Sequence, residues 1–366
     1  MKFVITGGGT GGHIFPGIAI ADELIKKING TEILFVGAKG RMEEKIVPDN
    51  GYMIKTISIS GFRRKNILKN WNTGFKLIGA LRSSKIILKE FAPDAVIGTG
   101  GYVSGPVVYS AIKLGIPALI EEGNSYPGFV TKFLSDKVNK VVINFEETAG
   151  YLKPGCKTVK ISYPVRSKLK KRDKIESLEY FGFKNISAKT LFVFGGSQGA
   201  RANNSVIMKL LDELSGNNIN IIWQTGRADF ENISASVGEK YPNVRIHEFI
   251  NEMDYAYSAS DLIVCRAGIS SIMELSLLKM PAILIPYPFA SENHQEKNAQ
   301  SLVSKNAAIM IKESDIGTEL KNAIIDTIND AEKLNALSMN ISGFYDFEAP
   351  SKIVNEILNI TRYGTN

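Results

Sequence analysis

The sequence predicts an α/β protein made of two doubly wound parallel-sheet domains facing a cleft, and three observations carry that prediction. Short, β-rich apolar runs alternate with helix-length segments, the pattern of parallel strands buried on both faces. The pattern occurs twice, and 366 residues suffice for two domains of ordinary size. Glycine-rich loops follow strand ends in both halves, where open α/β sheets bind their ligands.

Taken in order, residues 3–5, 33–36, 95–97, 118–120 and 140–143 read as the strands of the first half. Residues 190–194, 219–223, 244–246, 262–264, 282–285 and 308–311 read as those of the second. Tyr163-Pro164-Val165-Arg166 and the charged run 168–174 form the expected hinge. The boundaries that follow are 1–163 for an N-terminal domain and 164–349 for a C-terminal one, with a last helix from Pro350 onward.

The first strand leads into KFVITGGGTGGHIFP, in which Gly7, Gly8, Gly9, Gly11 and Gly12 bare the backbone before a helix. Such a loop can bring several N–H groups against one anion at the positive end of a helix dipole. Gly7-x-Gly9-x-x-Gly12 also fits a dinucleotide fingerprint, but that fingerprint needs an acid at the end of the second strand, where this chain has Gly37, Ala38 and Lys39. A second loop, GTGGYVSGP, follows residue 97, and a third, Gly195-Gly196-Ser197-Gln198-Gly199-Ala200, opens the second domain. Three such loops imply phosphorylated substrates. Beyond later strand ends come Arg266-Ala267-Gly268 with Glu274 on the following helix, and a polar loop with His294 and Gln295. Glu274 is either a ribose ligand or a solvated glutamate, and the polar loop either holds sugar hydroxyls or is merely exposed.

Composition is that of a globular protein, 44% hydrophobic and 22% charged. Cys156 and Cys265 stand far apart without metal-ligand spacing and suggest a reducing compartment. No apolar run reaches a membrane span, and a strand starting at Lys2 leaves no room for a signal peptide, so a cytosolic or peripheral protein is expected. The net charge of +7 has a local source. Residues 62–89 hold eight basic side chains, Arg63, Arg64, Lys65, Lys69, Lys76, Arg82, Lys85 and Lys89, and no acid; removing those eight from 44 leaves 36 against 37. Ile67, Leu68, Trp71, Phe75 and Ile78 fall at helical spacing in the same segment. They form either a stripe facing the core or, with the one-signed charge around it, a surface for an anionic membrane.

In order and spacing, GGGTGGH, GTGGYVSGP, FGGSQGA, Arg266-Ala267-Gly268 to Glu274, and His294-Gln295 through Asn298-Ala299 resemble the MurG family, peripheral membrane N-acetylglucosaminyltransferases of peptidoglycan synthesis. The resemblance spans almost the whole chain. It implies the GT-B fold of two Rossmann-like domains, with the last helix crossing back onto the first. It also implies transfer from UDP-N-acetylglucosamine to the C4 hydroxyl of undecaprenyl-pyrophosphoryl-N-acetylmuramyl-pentapeptide, with inversion, at the cytoplasmic face of the membrane. Carried over by position, the donor contacts are Thr10, Gly11, Gly12, Asn124, Arg166, Ser197, Gln198, Ile250, Glu274, His294 and Gln295, with Ile250 reading uracil through its backbone. The acceptor diphosphate falls to Gly9, Gly100, Gly101, Tyr102 and Ser104. Where relatives commonly read His-Glu-Gln-Asn, this chain has Glu121-Glu122-Gly123-Asn124.

The reaction needs a base for the attacking hydroxyl. Of the three histidines, His13, His247 and His294, His13 lies at the first glycine loop and a helix start, where the dipole favours a neutral ring. It is the expected base or, on the alternative reading, only positions the acceptor diphosphate. No Asp-x-Asp occurs, and neither a metal nor a cofactor is expected. Nucleic acid is not an expected partner. A GT-B enzyme with another lipid acceptor and a non-catalytic UDP-sugar-binding protein are the rival readings.

Overall fold

The computed structural model describes residues 1–59, 73–165, 169–196, 199–238 and 240–361, with backbone alone at 73–75. The chain divides into two compact units, Met1–Ser167 with Asp346–Asn366, and Lys168–Tyr345.

The first unit carries a seven-stranded sheet of β1 (Lys2–Gly7), β2 (Glu32–Ala38), β3 (Met53–Ile57), β4 (Ala95–Gly100), β5 (Ala118–Glu122), β6 (Lys140–Ile143) and β7 (Thr158–Lys160). The order is β3-β2-β1-β4-β5-β6-β7, and every pair is parallel. The edge strands β3 and β7 were not among the expected ones. Exposed and partly buried residues alternate in both, so neither presents the continuous apolar run that marks a strand covered on two faces.

The strand order reverses between β1 and β4, which puts the first two glycine loops side by side at the carboxyl edge of the sheet. The helix after the first loop, Gly11–Lys27, buries Ile14, Ile18, Ala21 and Leu24 in one cluster with Phe3, Ile5 and Ile97. Pro16 lies inside this helix and offers no N–H to the carbonyl four residues back. That carbonyl belongs to Gly12, and the buried hydroxyl of Tyr163 donates to it. A break in the helical ladder is thereby closed from the far end of the unit.

The helix Ala349–Ile360 sits in the same cluster through Ala349, Ile353, Val354 and Ile357. Burying aliphatic side chains of this kind contributes about 1.5–3 kcal/mol each. Lys27 adds bonds to the Ser351 carbonyl and the Asn355 side chain, and Lys140 pairs with Glu356. These contacts make the C-terminal helix part of the first unit.

The second unit carries six parallel strands, β8 (Lys189–Phe194), β9 (Ile219–Gln224), β10 (Val244–His247), β11 (Leu262–Cys265), β12 (Ala282–Leu284) and β13 (Ile309–Met310). They run in the order β10-β9-β8-β11-β12-β13, and all six match expected strands. The reversal falls between β8 and β11, so the third glycine loop and the Arg266-Ala267-Gly268 segment share a carboxyl edge.

Candidate active site

In the first unit the site is built around His13. A side chain cannot be added to the loop before it: a Cβ at Gly7 would lie 2.1 Å from Thr99 Oγ1, and one at Gly8 would lie 2.1 Å from Glu43 Oε1. Glu43 opens the helix Glu43–Asp49 and is 0% exposed. Its two oxygens accept from Gly9 N–H at 3.1 Å and Ala38 N–H at 3.0 Å. The acid absent from the end of β2 thus stands a few residues further on, turned inward to hold the glycine loop rather than a ribose.

His13 Nδ1 lies 3.0 Å from the Gly8 carbonyl and 3.2 Å from Thr10 Oγ1. A carbonyl has no proton to give, so Nδ1 carries the hydrogen, and in the neutral ring the lone pair is on Nε2. The second glycine loop packs against the ring and the carbonyl. Gly100 and Gly101 have φ of +105° and +78°. A Cβ at Gly100 would come within 2.5 Å of His13 Cδ2, and one at Gly101 within 2.4 Å of Gly8 O. The pairing of β1 with β4 shifts register after Thr6, and Thr99 Oγ1 donates to the His13 carbonyl at 2.6 Å.

These contacts alter the expected phosphate cradle. The Gly9 N–H is spent on Glu43, and the Ser104 hydroxyl turns inward to the Gly101 carbonyl at 2.8 Å. Tyr102 packs beside Gly9, its phenol oxygen buried without a hydrogen-bond partner. Gly11 and Gly12 begin the helix, with the Gly12 carbonyl taken by Tyr163.

At the end of β5, Glu122 accepts from Asn124 N–H and Nδ2 at 3.1 Å each, from Gly128 N–H at 2.9 Å and from Thr131 Oγ1 at 2.6 Å. Glu122 therefore shapes the turn that presents Asn124. Glu121 points to the opposite face, is 2% exposed, and leaves Oε2 without a partner. Burial, and after it the charge of Glu122, raises the Glu121 carboxyl well above the ordinary carboxylate range.

In the second unit, Glu274 is buried on the helix Ile269–Leu278 and accepts from the Tyr257 hydroxyl at 2.9 Å. Ile250, beyond β10, is also buried, and its N–H donates to Gln224 Oε1 at 2.9 Å. The Ile250 N–H is thereby taken within the chain. Gln224 Nε2 reaches the Gly196 carbonyl at 3.4 Å, so this one side chain ties the third glycine loop to Ile250. Gly199 has φ of +74°, and a Cβ there would lie 2.4 Å from the Thr225 carbonyl. Gln295 accepts from Tyr287 N–H at 2.9 Å, and His294 Nδ1 meets the Ser291 carbonyl at 2.7 Å. Between them Glu292 and Asn293 take left-handed φ of 57° and 55°, a strain of about 1–3 kcal/mol each for residues other than glycine. Arg266 pins the start of this loop through the Ile285 and Pro286 carbonyls, a pair with Glu313 and the face of Tyr287.

Arg63, Arg64, Lys65, Ile67, Leu68, Lys69, Trp71, Arg166, Ser197 and Gln198 lie outside the described residues, as does the Phe75 side chain. His247 belongs to neither site: it is half-buried in β10, edge-on to Phe181, with its pKa lowered by burial and then by Arg245. Glu43, Gln224, Tyr257 and Tyr163 were missed by sequence reasoning. Each acts through a backbone group or a carboxylate distant in sequence, and only Glu43 had a local signal, the glycine at 37 that its stem requires.

Comparison with known proteins agrees with this architecture. Residues 3–143 match the glycosyltransferase family 28 N-terminal domain, and residues 190–349 match the family 28 C-terminal domain. The chain is 43% identical over 361 residues, 98% of this chain and 97% of the relative, to a Flavobacterium psychrophilum protein. That protein is named UDP-N-acetylglucosamine–N-acetylmuramyl-(pentapeptide) pyrophosphoryl-undecaprenol N-acetylglucosamine transferase. A Parabacteroides distasonis protein of the same name is 41% identical, with 98% of each chain covered. The crystal structure of Acinetobacter baumannii MurG superposes with a TM-score of 0.78 at 29% identity, covering 98% of this chain and 99% of that one. Two doubly wound parallel sheets and these neighbours define a glycosyltransferase of the GT-B fold. The chain belongs to glycosyltransferase family 28.

Glu121 gives this chain a pH signature. Its raised pKa means that the folded chain keeps a proton which the unfolded chain releases above about pH 4.3. The native state then binds more protons, so this contribution to stability is complete below that pH and is lost as pH rises toward the folded value. Glu121→Gln removes the loss. Thermal unfolding should show the variant gaining on the wild type as pH rises above about 4.3; a difference independent of pH would contradict a buried protonated carboxyl.

Proposed function

We infer that this chain transfers N-acetylglucosamine from UDP-N-acetylglucosamine to the C4 hydroxyl of undecaprenyl-pyrophosphoryl-N-acetylmuramyl-pentapeptide. Kinship over nearly the full length with enzymes named for that reaction supports the substrates. The observation that carries the mechanism is the seating of His13, whose Nδ1 is committed to the Gly8 carbonyl. In the reaction the acceptor oxygen attacks the anomeric carbon, the bond from that carbon to UDP breaks with inversion, and the hydroxyl proton passes to His13 Nε2. The departing diphosphate gains charge. The start of the helix Arg201–Gly216, which follows the third glycine loop, offers backbone N–H groups to it, with Ser197 and Gln198 assigned there from the resemblance. Glu274, oriented by Tyr257, takes the ribose hydroxyls, Ile250 the uracil, and His294 with Gln295 the sugar. On the first unit Thr10, Gly11, Gly12, Asn124 and Arg166 complete the donor contacts, and Gly100, Gly101, Tyr102 and Ser104 border the acceptor diphosphate.

The acceptor is lipid-linked, and the helix Thr73–Phe91 supports attachment to an anionic membrane face. No helix among the described residues is long and apolar enough to cross a membrane. This helix turns Ala80, Ser84, Ile87 and Leu88 inward, while Leu77, Ile78 and Ile86 are 44%, 51% and 56% exposed. A core-facing stripe would have buried Ile78. Lys76, Arg82, Lys85 and Lys89 are exposed around these side chains, and each contributes roughly 1 kcal/mol near an anionic surface.

Turnover is tested by UDP release from labelled UDP-N-acetylglucosamine with the lipid-linked acceptor. His13→Ala should lower kcat on the order of 100-fold while sparing donor binding; unchanged turnover would remove His13 from the chemistry. Vesicle co-sedimentation tests the surface. The protein should bind anionic vesicles more than neutral ones, and less as salt rises. Glutamine at Lys76, Arg82, Lys85 and Lys89 should abolish the preference, and a variant that keeps it would place the contact elsewhere.

A further inference from the structure

Two hydrogen bonds described above meet on a single peptide unit. The Gly8–Gly9 peptide gives its N–H to the Glu43 carboxylate at 3.1 Å and receives His13 Nδ1 on its carbonyl oxygen at 3.0 Å. We propose that Glu43 is a positioning residue for the reaction and acts on His13 through this peptide, as a carboxylate–histidine pair with one amide inserted between its members.

The surroundings are shaped for that role. Glu43 is wholly buried, and each of its oxygens accepts a backbone N–H. Three glycines make room for the chain of bonds. At Gly37 a Cβ would press within 2.6 Å of Glu43 Cγ, at Gly8 within 2.1 Å of its Oε1, and at Gly101 within 2.4 Å of the Gly8 carbonyl oxygen. A buried carboxyl with only backbone partners costs stability unless its bonds are well made, and the glycine loop and the end of β2 supply one each. From the other elements packed on the loop come two phenols, Tyr102 beside Gly9 and Tyr163 on the Gly12 carbonyl.

The physical consequence follows from polarisation. A carboxylate accepting from an amide N–H draws that proton toward itself and makes the carbonyl of the same amide a stronger acceptor. A stronger acceptor at Nδ1–H holds the tautomer with its lone pair on Nε2 and favours the cation formed when Nε2 takes a proton. An orienting carboxylate in direct contact with histidine does the same in other enzymes.

The inference rests on His13 being the base, and kinetics separates the two. Glu43→Gln keeps the volume and removes the charge. It should lower kcat on the order of 10-fold or more with the KM for UDP-N-acetylglucosamine nearly unchanged. The acid-side fall of kcat should move to lower pH, since a less favoured imidazolium loses its proton more readily. In a His13→Ala background the same substitution should add no further loss, because its effect passes through the imidazole. Glu43→Asp, which keeps charge but shortens the reach, should give an intermediate rate and serves as the probe if Glu43→Gln does not fold. An unmoved pH profile with Glu43→Gln, or a full additional loss in the His13→Ala background, would overturn the proposal. Full turnover by His13→Ala itself would instead overturn the base assignment on which it rests.

Discussion

The first unit's chemistry depends on one peptide plane being held still. The Gly8–Gly9 amide is fixed on one edge by Glu43 and on the other by His13, and the second glycine loop closes over its carbonyl. Everything around it serves that geometry. β1 ends where Thr99 passes too close for any side chain at Gly7, and the register shift of β4 aims the Thr99 hydroxyl at the base of the His13 helix. Tyr163 repairs the ladder that Pro16 breaks in the first turns of that helix. Deforming a network of this kind leaves buried polar groups unpaired, at about 1–3 kcal/mol for each one, so the loop is set before any substrate arrives.

The glycines were legible in the sequence as loops at strand ends, but only part of their meaning was. Bare backbone suggested N–H groups aimed at phosphate, and the third loop, ahead of a long helix, keeps that reading open. At Gly8, Gly37, Gly100 and Gly101 the physical reason is close approach by Glu43, the Gly8 carbonyl and the His13 ring. Sequence spacing shows that a side chain is missing; it does not show what occupies the space. Glu43 illustrates the limit, since its partners are backbone groups of β2 and of the loop after β1, which no side-chain motif advertises.

The architecture was easier to read than the site. The four inner strands of the second unit, β9, β8, β11 and β12, are apolar runs buried along nearly their whole length, and period and length suffice to find such strands. β3 and β7 are edges with one wet face and offer no comparable run. Ile78 shows another limit: helical spacing allowed either a buried stripe or an exposed surface, and the helix turns Ala80, Ser84 and Leu88 inward and leaves Ile78 outside. Small residues face the core there because the neighbouring Ser104–Lys113 helix packs close, with Ser110 donating to the Leu81 carbonyl. Gln224 and Tyr257 escaped for a related reason. Each positions another functional group, and the distance between the partners in sequence carries no period.

The loop holds His13 in the tautomer with hydrogen on Nδ1 and the lone pair on Nε2. Nitrogen-15 NMR of the histidine-labelled protein, with His13 assigned by its loss in His13→Ala, measures this directly. At a pH where the ring is neutral, Nδ1 of His13 should be protonated and Nε2 unprotonated. The reverse assignment would contradict this, because the Gly8 carbonyl would then face a nitrogen with no hydrogen to donate.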